Sequence, residues 1–170
     1  MFKMNNQKAT IQQMAASEVT KVALVTALYI VITTLLSVVS FGVFQLRLSE
    51  MFNFLPLFNR RYIWAVTMGV AVANINSPLG ITDVLVGSIS TFLVLHFIQL
   101  LTGKIKSMLI KFIITAIVFS LSMFTVASML AIFYELPFFI TWFSVGLGEL
   151  FSMTIGGMII YNISKRVRLT

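Results

Sequence analysis

The chain has 170 residues, of which 59% are hydrophobic and only 10% are charged, and its formal net charge is +7. About a quarter of the residues in a soluble domain are charged, so this composition excludes a soluble protein and predicts an integral membrane domain. Cysteine is absent, which excludes a disulfide framework and a thiolate nucleophile. The positive charges lie in short clusters at the ends of apolar runs, which is typical of membrane topology rather than of nucleic-acid binding.

Apolar runs follow one another along the chain, and a helix of roughly 20 residues crosses a hydrocarbon core of about 30 Å. We therefore predict an all-α bundle of six transmembrane helices in a single domain, residues 1–170, because no linker rich in Pro, Gly or Ser occurs. The spans are predicted at about 20–39, 41–58, 62–75, 81–101, 107–133 and 138–163. The second and third are short and compatible with a tilted hairpin, and Pro56 is expected to bend the second near its end.

The positive charges alternate with these spans. Eleven of the twelve basic residues lie before or at the start of span one, between spans two and three, around the start of span five, or after span six. They are Lys3, Lys8, Lys21, Arg60, Arg61, Lys104, Lys106, Lys111, Lys165, Arg166 and Arg168. Positive residues mark the cytoplasmic face, so we predict a multi-pass protein of the cell membrane with both termini cytoplasmic. The polar segment 1–19 is expected to be cytoplasmic rather than a signal peptide, and the tail 164–170 is also expected there.

Arg47 is the twelfth basic residue, and it lies between two apolar runs. An ionised side chain near the middle of a membrane helix costs roughly 2.5–3.5 kcal/mol, so such a residue is a candidate for function. Glu50 follows at i+3 and would share its helix face. Two interpretations remain open. The two residues form a structural ion pair, or they form a clamp in which Arg47 donates to a ligand and Glu50 accepts from ligand N–H groups.

Further polar residues are predicted in the outward half of the bundle. Asn74 and Asn76 precede a turn, and Asp83 follows it in the first turn of span four. A carboxylate there either offsets the N–H dipoles of the helix start or belongs to a polar wall opposite Arg47. Glu149 lies about eleven residues, or roughly 17 Å, into span six, where a ligand, a partner across the bundle or a proton would satisfy it.

Aromatic residues and absent motifs complete the prediction. Tyr134 and Trp142 fit interfacial anchoring, and they are also placed to cover an outward cavity. His96 is the single histidine, so we expect neither a His-based metal site nor a cofactor. The sequence contains no phosphate-binding loop, nucleophile elbow or zinc-protease helix, so the chain is not expected to hydrolyse ATP or to be an enzyme.

Two stretches of the sequence resemble the QueT family of queuosine-precursor transporters, the substrate-binding S-components of energy-coupling-factor (ECF) transporters. The first is Arg47-Leu-Ser-Glu50 followed by Asn53 to Pro56, and the second is Ala73-Asn74-x-x-Ser77-Pro78-x-Gly80-x-x-Asp83-x-x-x-Gly87. The likeness covers the chain roughly from span one to span six. It implies a six-helix S-component fold with an outward-opening pocket.

The resemblance also implies partners. An S-component works with a coupling membrane subunit and two ABC ATPases. It is embedded in membrane lipid, and no nucleic-acid partner is expected. Small residues of the first helix touch the coupling subunit in such proteins. Ala23 and Ala27 match that pattern, and their spacing permits close helix contact.

The implied substrate is a 7-deazaguanine base. A carboxylate would accept from its N–H groups, and Arg47 would donate to its carbonyl oxygen. A precursor with an aminomethyl cation would need a second carboxylate, for which the resemblance suggests Asp83. The candidates for stacking on the base are Phe44, Tyr134 and Trp142.

Two other functions remain open. The same fold would also suit an S-component for a different vitamin, of the thiamine or riboflavin type. Alternatively, the chain is a non-transporting membrane scaffold in which Arg47 and Glu50 only fix helix register. A scaffold would show no ligand response, and exchanging the two charges would have little effect.

Overall fold

The computed structural model describes residues 2–40, 46–167 and 169, with side chains from residue 16 onward except those of 38 and 39. Every regular element in these residues is helical. Four helical segments are long and apolar enough to cross a membrane: Ala16–Leu35, Ile81–Thr102, Met108–Tyr134 and Phe138–Ser164. The all-α membrane architecture predicted from the sequence is thus confirmed, whereas the count of six spans remains a prediction.

The elements follow one another with short connections. Helix α1 comprises Phe2–Leu35, and α2 is the single turn Ser37–Ser40. A 3-10 helix, Leu48–Leu57, is followed by α3, Arg61–Ala73, and by a 3-10 turn, Asn74–Asn76. The C-terminal half consists of α4 (Ile81–Thr102), α5 (Met108–Ser122), α6 (Phe124–Tyr134) and α7 (Phe138–Ser164).

The second predicted span, 41–58, differs from a regular transmembrane helix. Residues 41–45 lie outside the described residues, and from Leu48 the chain is wound as a 3-10 helix of 10 residues. At about 2.0 Å per residue this helix covers roughly 20 Å. The 13 residues of α3 cover a similar length, so neither crosses a core of about 30 Å alone. Pro56 lies inside the 3-10 helix, and its carbonyl oxygen accepts a hydrogen bond from Gln99 of α4.

The 3-10 helix lies in the interior of the bundle, against α1, α3 and α7. Its residues Phe52, Phe54 and Leu55 are buried in the hydrophobic core. Phe54 stacks on Phe112 of α5, with the two ring centroids 4.4 Å apart. Residues i and i+3 lie on the same side of a 3-10 helix. Glu50 and Asn53 therefore share one side of this element, and the buried apolar residues lie on its other sides.

Helix α7 approaches the 3-10 helix closely through glycine. A Cβ atom added at Gly156 would lie 2.8 Å from the Cα of Met51, whereas the nearest atoms to one at Gly157 are ring atoms of Phe54, at 3.1 Å, and of Phe112, at 3.6 Å. The backbone of Met51 cannot move aside without displacing the 3-10 helix. Glycine at 156 is therefore needed for the close approach of the two backbones.

Contacts at one end of the bundle bring basic residues together. Arg61, at the start of α3, forms an ion pair with Glu18 of α1, which also lies 3.7 Å from Lys21. Gln99, near the end of α4, bonds to Pro56 shortly before Arg61 in the chain. These contacts place Glu18 and Lys21 of α1, the start of α3 and the region of Gln99 in α4 near one another.

We expect Gly156→Ala to destabilise the protein by about 1–3 kcal/mol, because the new methyl group overpacks against Met51. Thermal unfolding of the purified chain in detergent would measure the effect. The neighbouring Gly157→Ala is the matched control and should cost less, since a ring edge can shift by a few tenths of an ångström. Equal losses for the two variants would contradict this account of the packing.

Candidate functional site

Glu50 is the buried carboxylate at the centre of the polar interior, and its residue is 5% exposed. Its Oε1 accepts a 2.6 Å hydrogen bond from the hydroxyl of Tyr29 in α1. Its Oε2 accepts from the side-chain amide of Asn53, which lies on the same line of the 3-10 helix. Buried polar groups require such partners, so α1 and the 3-10 helix together hold Glu50 in place.

Arg47 lies at the start of the 3-10 helix and is held from two directions. Its Nε donates to the carbonyl oxygen of Ser40 at 3.3 Å, and one Nη donates to Oδ1 of Asn74 at 3.4 Å. The amide group of Asn74 in turn donates to the backbone carbonyl of Asp83 at 3.1 Å. The end of α3 and the start of α4 therefore orient the guanidinium.

Asp83 lies in the first turn of α4, and its side chain bonds back to the turn that precedes this helix. Its carboxylate accepts from the hydroxyl of Ser77, and the backbone N–H of Leu79 donates to the same hydroxyl oxygen at 3.3 Å. Gly80 has a φ of +54° in this turn, a conformation that glycine adopts without penalty. The Asp83 side chain is thus engaged in the turn, whereas its backbone carbonyl accepts the bond from Asn74.

A cavity of about 40 Å³ lies between the 3-10 helix, α3, α4, α7 and the junction of α5 with α6. Its charged lining residues are Arg47, Glu50 and Glu149. The uncharged lining residues are Val70, Gly87, Ser90, Thr91, Ser122, Met123, Thr125 and Val126. One buried water occupies roughly 10–15 Å³ of cavity volume, so this polar cavity has room for about three waters.

Glu149 enters the cavity from α7 and is only 2% exposed. Its Oε1 accepts no hydrogen bond from any residue that the structure describes. A buried carboxylate oxygen without a donor is costly, and in native proteins such a group calls for a ligand, a water or a proton.

A break between α5 and α6 shapes the wall opposite the 3-10 helix. The helix is interrupted at Met123. Trp142 of α7 donates its indole N–H to the carbonyl oxygen of Leu121 at 3.0 Å, and the hydroxyl of Ser120 donates to the carbonyl oxygen of Gly146 at 2.7 Å. These bonds attach the junction to α7, so that the residues just after them line the cavity.

Comparison with known proteins assigns the chain to a family. The sequence model of the family described as QueT transporter matches residues 19–166. This chain belongs to the QueT transporter family. A curated protein of Lactococcus lactis subsp. cremoris (strain MG1363), named queuosine precursor transporter QueT, is 41% identical over 162 residues, which cover 90% of this chain and 95% of the relative. No solved structure matches the chain.

Membership of the QueT transporter family confirms the resemblance that the two sequence stretches indicate. The family consists of transporters, so the prediction that the chain is not an enzyme is also confirmed. The cavity is accordingly a candidate substrate site of a transporter, and its polar groups are candidates for binding rather than for catalysis.

The structure brings together part of the predicted site of this QueT-family chain. Arg47, Glu50 and Glu149 line one cavity, and Asn74 contacts Arg47. Asp83 lies one contact further away, behind Asn74. These residues come from four separate elements, so only folding places them side by side.

Other predicted residues lie elsewhere. Asn76 is exposed, and Tyr134 is half-exposed at the end of α6. Trp142 attaches the α5–α6 junction to α7 and lines a separate groove with Phe139. None of these three residues lines the cavity around Glu149. Phe44 lies outside the described residues.

Sequence reasoning missed Tyr29 and Asn53. A tyrosine deep in an apolar span usually needs a partner for its hydroxyl, and this signal could have found Tyr29. An amide three residues after Glu50 was a similar signal for Asn53. The lining residues of the α5–α6 junction gave no such signal, because no Pro or Gly marks the break at Met123.

We expect Tyr29→Phe to destabilise the protein by about 1–3 kcal/mol, because a buried oxygen of Glu50 loses its donor. Thermal unfolding of the purified chain would measure the change. Tyr134→Phe removes the same hydroxyl at a half-exposed position and should be nearly neutral. If both variants unfold like the original protein, the bond to Glu50 does not contribute to stability.

Proposed function

We propose that this chain is the substrate-binding S-component of an ECF-type ABC importer and takes up a queuosine precursor, a 7-deazaguanine base. The observation that carries the proposal is the lining of one buried cavity by a guanidinium and two carboxylates within an apolar bundle. The name of the Lactococcus relative, queuosine precursor transporter, supports the substrate class.

The edge of a guanine-like base matches this lining chemically. Arg47 would donate to the carbonyl oxygen of the base, and a carboxylate would accept from its ring N–H and its amino group. Each oxygen of Glu50 already accepts one hydrogen bond, from Tyr29 or from Asn53. A carboxylate has about four acceptor positions, so Glu50 can still accept from a ligand.

The cavity must widen to admit a base. Ligand pockets usually measure about 300–1,000 Å³, against about 40 Å³ in this conformation. The packing of α4 against α6 is sparse, whereas the 3-10 helix packs extensively on α7. We therefore expect entry of the substrate to separate α6 from α4, while the wall with Arg47 and Glu50 stays in place.

Partner subunits would supply the energy of transport. The proposed partners are a coupling membrane subunit and two ABC ATPases, with both termini of this chain in the cytoplasm. Ala23 and Ala27 support the first partner, because both are exposed on α1. Tyr29 and Val25 are buried on the opposite side of the helix, which leaves the small residues free for a partner helix.

Arg47→Ala and Glu50→Gln should each weaken binding of a 7-deazaguanine base by about tenfold or more, the value of a hydrogen bond to a charged group. Isothermal titration of the purified chain would measure this. Arg60→Ala, at an exposed position before α3, is the matched control and should bind normally. Unchanged affinity in both cavity variants would show that the base binds elsewhere.

The same titration separates the alternatives. An S-component for another vitamin would respond to thiamine or riboflavin in a thermal-shift panel, because a bound ligand raises apparent stability. A scaffold would respond to no ligand and would tolerate the combined exchange Arg47→Glu and Glu50→Arg. Loss of binding in that exchange variant is the result expected of a clamp.

Ala27→Leu should reduce co-purification with the coupling subunit without changing ligand affinity, because the added side chain blocks close helix contact. Pull-down of the coupling subunit on the tagged chain would measure the loss. Ala131→Leu, at a partly buried position of α6, is the control and should leave complex formation intact. Normal co-purification of Ala27→Leu would exclude this face as the partner surface.

A further inference from the structure

The charged groups that line the cavity do not balance one another, and they differ in the number of hydrogen bonds that they accept. Its charged lining residues are one guanidinium, of Arg47, and two carboxylates, of Glu50 and Glu149. With both carboxylates ionised, the formal charge of this group is negative by one. Glu50 has a donor on each oxygen, whereas Oε1 of Glu149 has none among the described residues.

Asp83, the second carboxylate suggested by the family resemblance, does not reach the cavity that Glu50 and Glu149 line. Its carboxylate is bonded to Ser77 and does not line the cavity. Glu149 is as deeply buried as any acidic residue here, at 2% exposure, and it lines the cavity from α7. Glu149 is therefore the carboxylate in this cavity that is best placed to accept hydrogen bonds from a ligand.

We propose that Glu149 selects a substrate that carries a protonated amine, which narrows the proposed substrate to a 7-deazaguanine with an aminomethyl substituent. This inference rests on the proposed function. An ammonium group supplies N–H donors to the unbonded oxygen and brings the charge of the cavity to zero. With a neutral substituent, Glu149 either stays a buried carboxylate without a donor or takes up a proton, and either state forgoes the ion pair with the ammonium group, which discriminates between substrates.

Two ligands of similar size test the proposal: 7-aminomethyl-7-deazaguanine and its neutral 7-hydroxymethyl analogue. In isothermal titration, the wild-type chain should bind the amine at least about tenfold more tightly. Glu149→Gln should weaken binding of the amine by about tenfold or more and change binding of the alcohol by less than about threefold. The preference for the amine is then lost.

Glu135→Gln is the matched control, because it makes the same substitution at an exposed carboxylate after α6. It should retain the full preference for the amine. The ratio of the two affinities is measured on one preparation, so it does not depend on the fraction of folded protein. Unliganded Glu149→Gln should also unfold no earlier than the wild type, since the substitution removes a buried carboxylate without a donor.

The outcomes separate this inference from the proposed function. If the wild type binds neither base, the proposed function fails. If it binds both bases equally, or if Glu149→Gln weakens both alike, only the role of Glu149 is overturned. Early unfolding of Glu149→Gln together with loss of both ligands would also overturn it, because Glu149 would then hold the fold instead of the substrate.

Discussion

A carboxylate inside an apolar bundle must be surrounded by donors, and Glu50 imposes this constraint on the elements around it. Its bonds to Tyr29 and Asn53 join the first helix to the 3-10 helix. The position of Tyr29 then governs α3, where a Cβ at Gly69 would lie 2.8 Å from the Cβ of Tyr29. One buried carboxylate is thus connected, directly or through Tyr29, to the packing of three elements.

The 3-10 winding of Leu48–Leu57 determines which of its side chains point in the same direction. Because a 3-10 helix has three residues per turn, Arg47, Glu50 and Asn53 lie on one side of it. In an α-helix, with 3.6 residues per turn, the same three residues would be spread around the helix axis. Buried Phe52, Phe54 and Leu55 project from the other sides into the core. A short and mostly buried element can therefore present polar side chains to a cavity and still contribute most of its surface to packing.

The two sides of the cavity differ in how firmly they are built. The 3-10 helix is held by the close approach of Gly156 to Met51 and by the stacked rings of Phe54 and Phe112. The opposite wall consists of α4 and of α6, which follows a helix break and packs sparsely on α4. A site with one fixed wall and one weakly packed wall suits a protein that must first admit a ligand and then enclose it.

The sequence alone determined the membrane character, the helical class and the family, and it marked Arg47, Glu50 and Glu149 as candidate site residues, because apolar runs interrupted by rare ionisable residues are visible without coordinates. It could not place these residues relative to one another, since local periodicity carries no information about contacts between helices. Only the tertiary structure put Glu149 beside Arg47 and Glu50, directed Asp83 to Ser77, and made Trp142 a support of the α5–α6 junction. The 3-10 winding of Leu48–Leu57 was also visible only in the tertiary structure, because 3-10 runs longer than about four residues are uncommon and no local sequence pattern predicts one here.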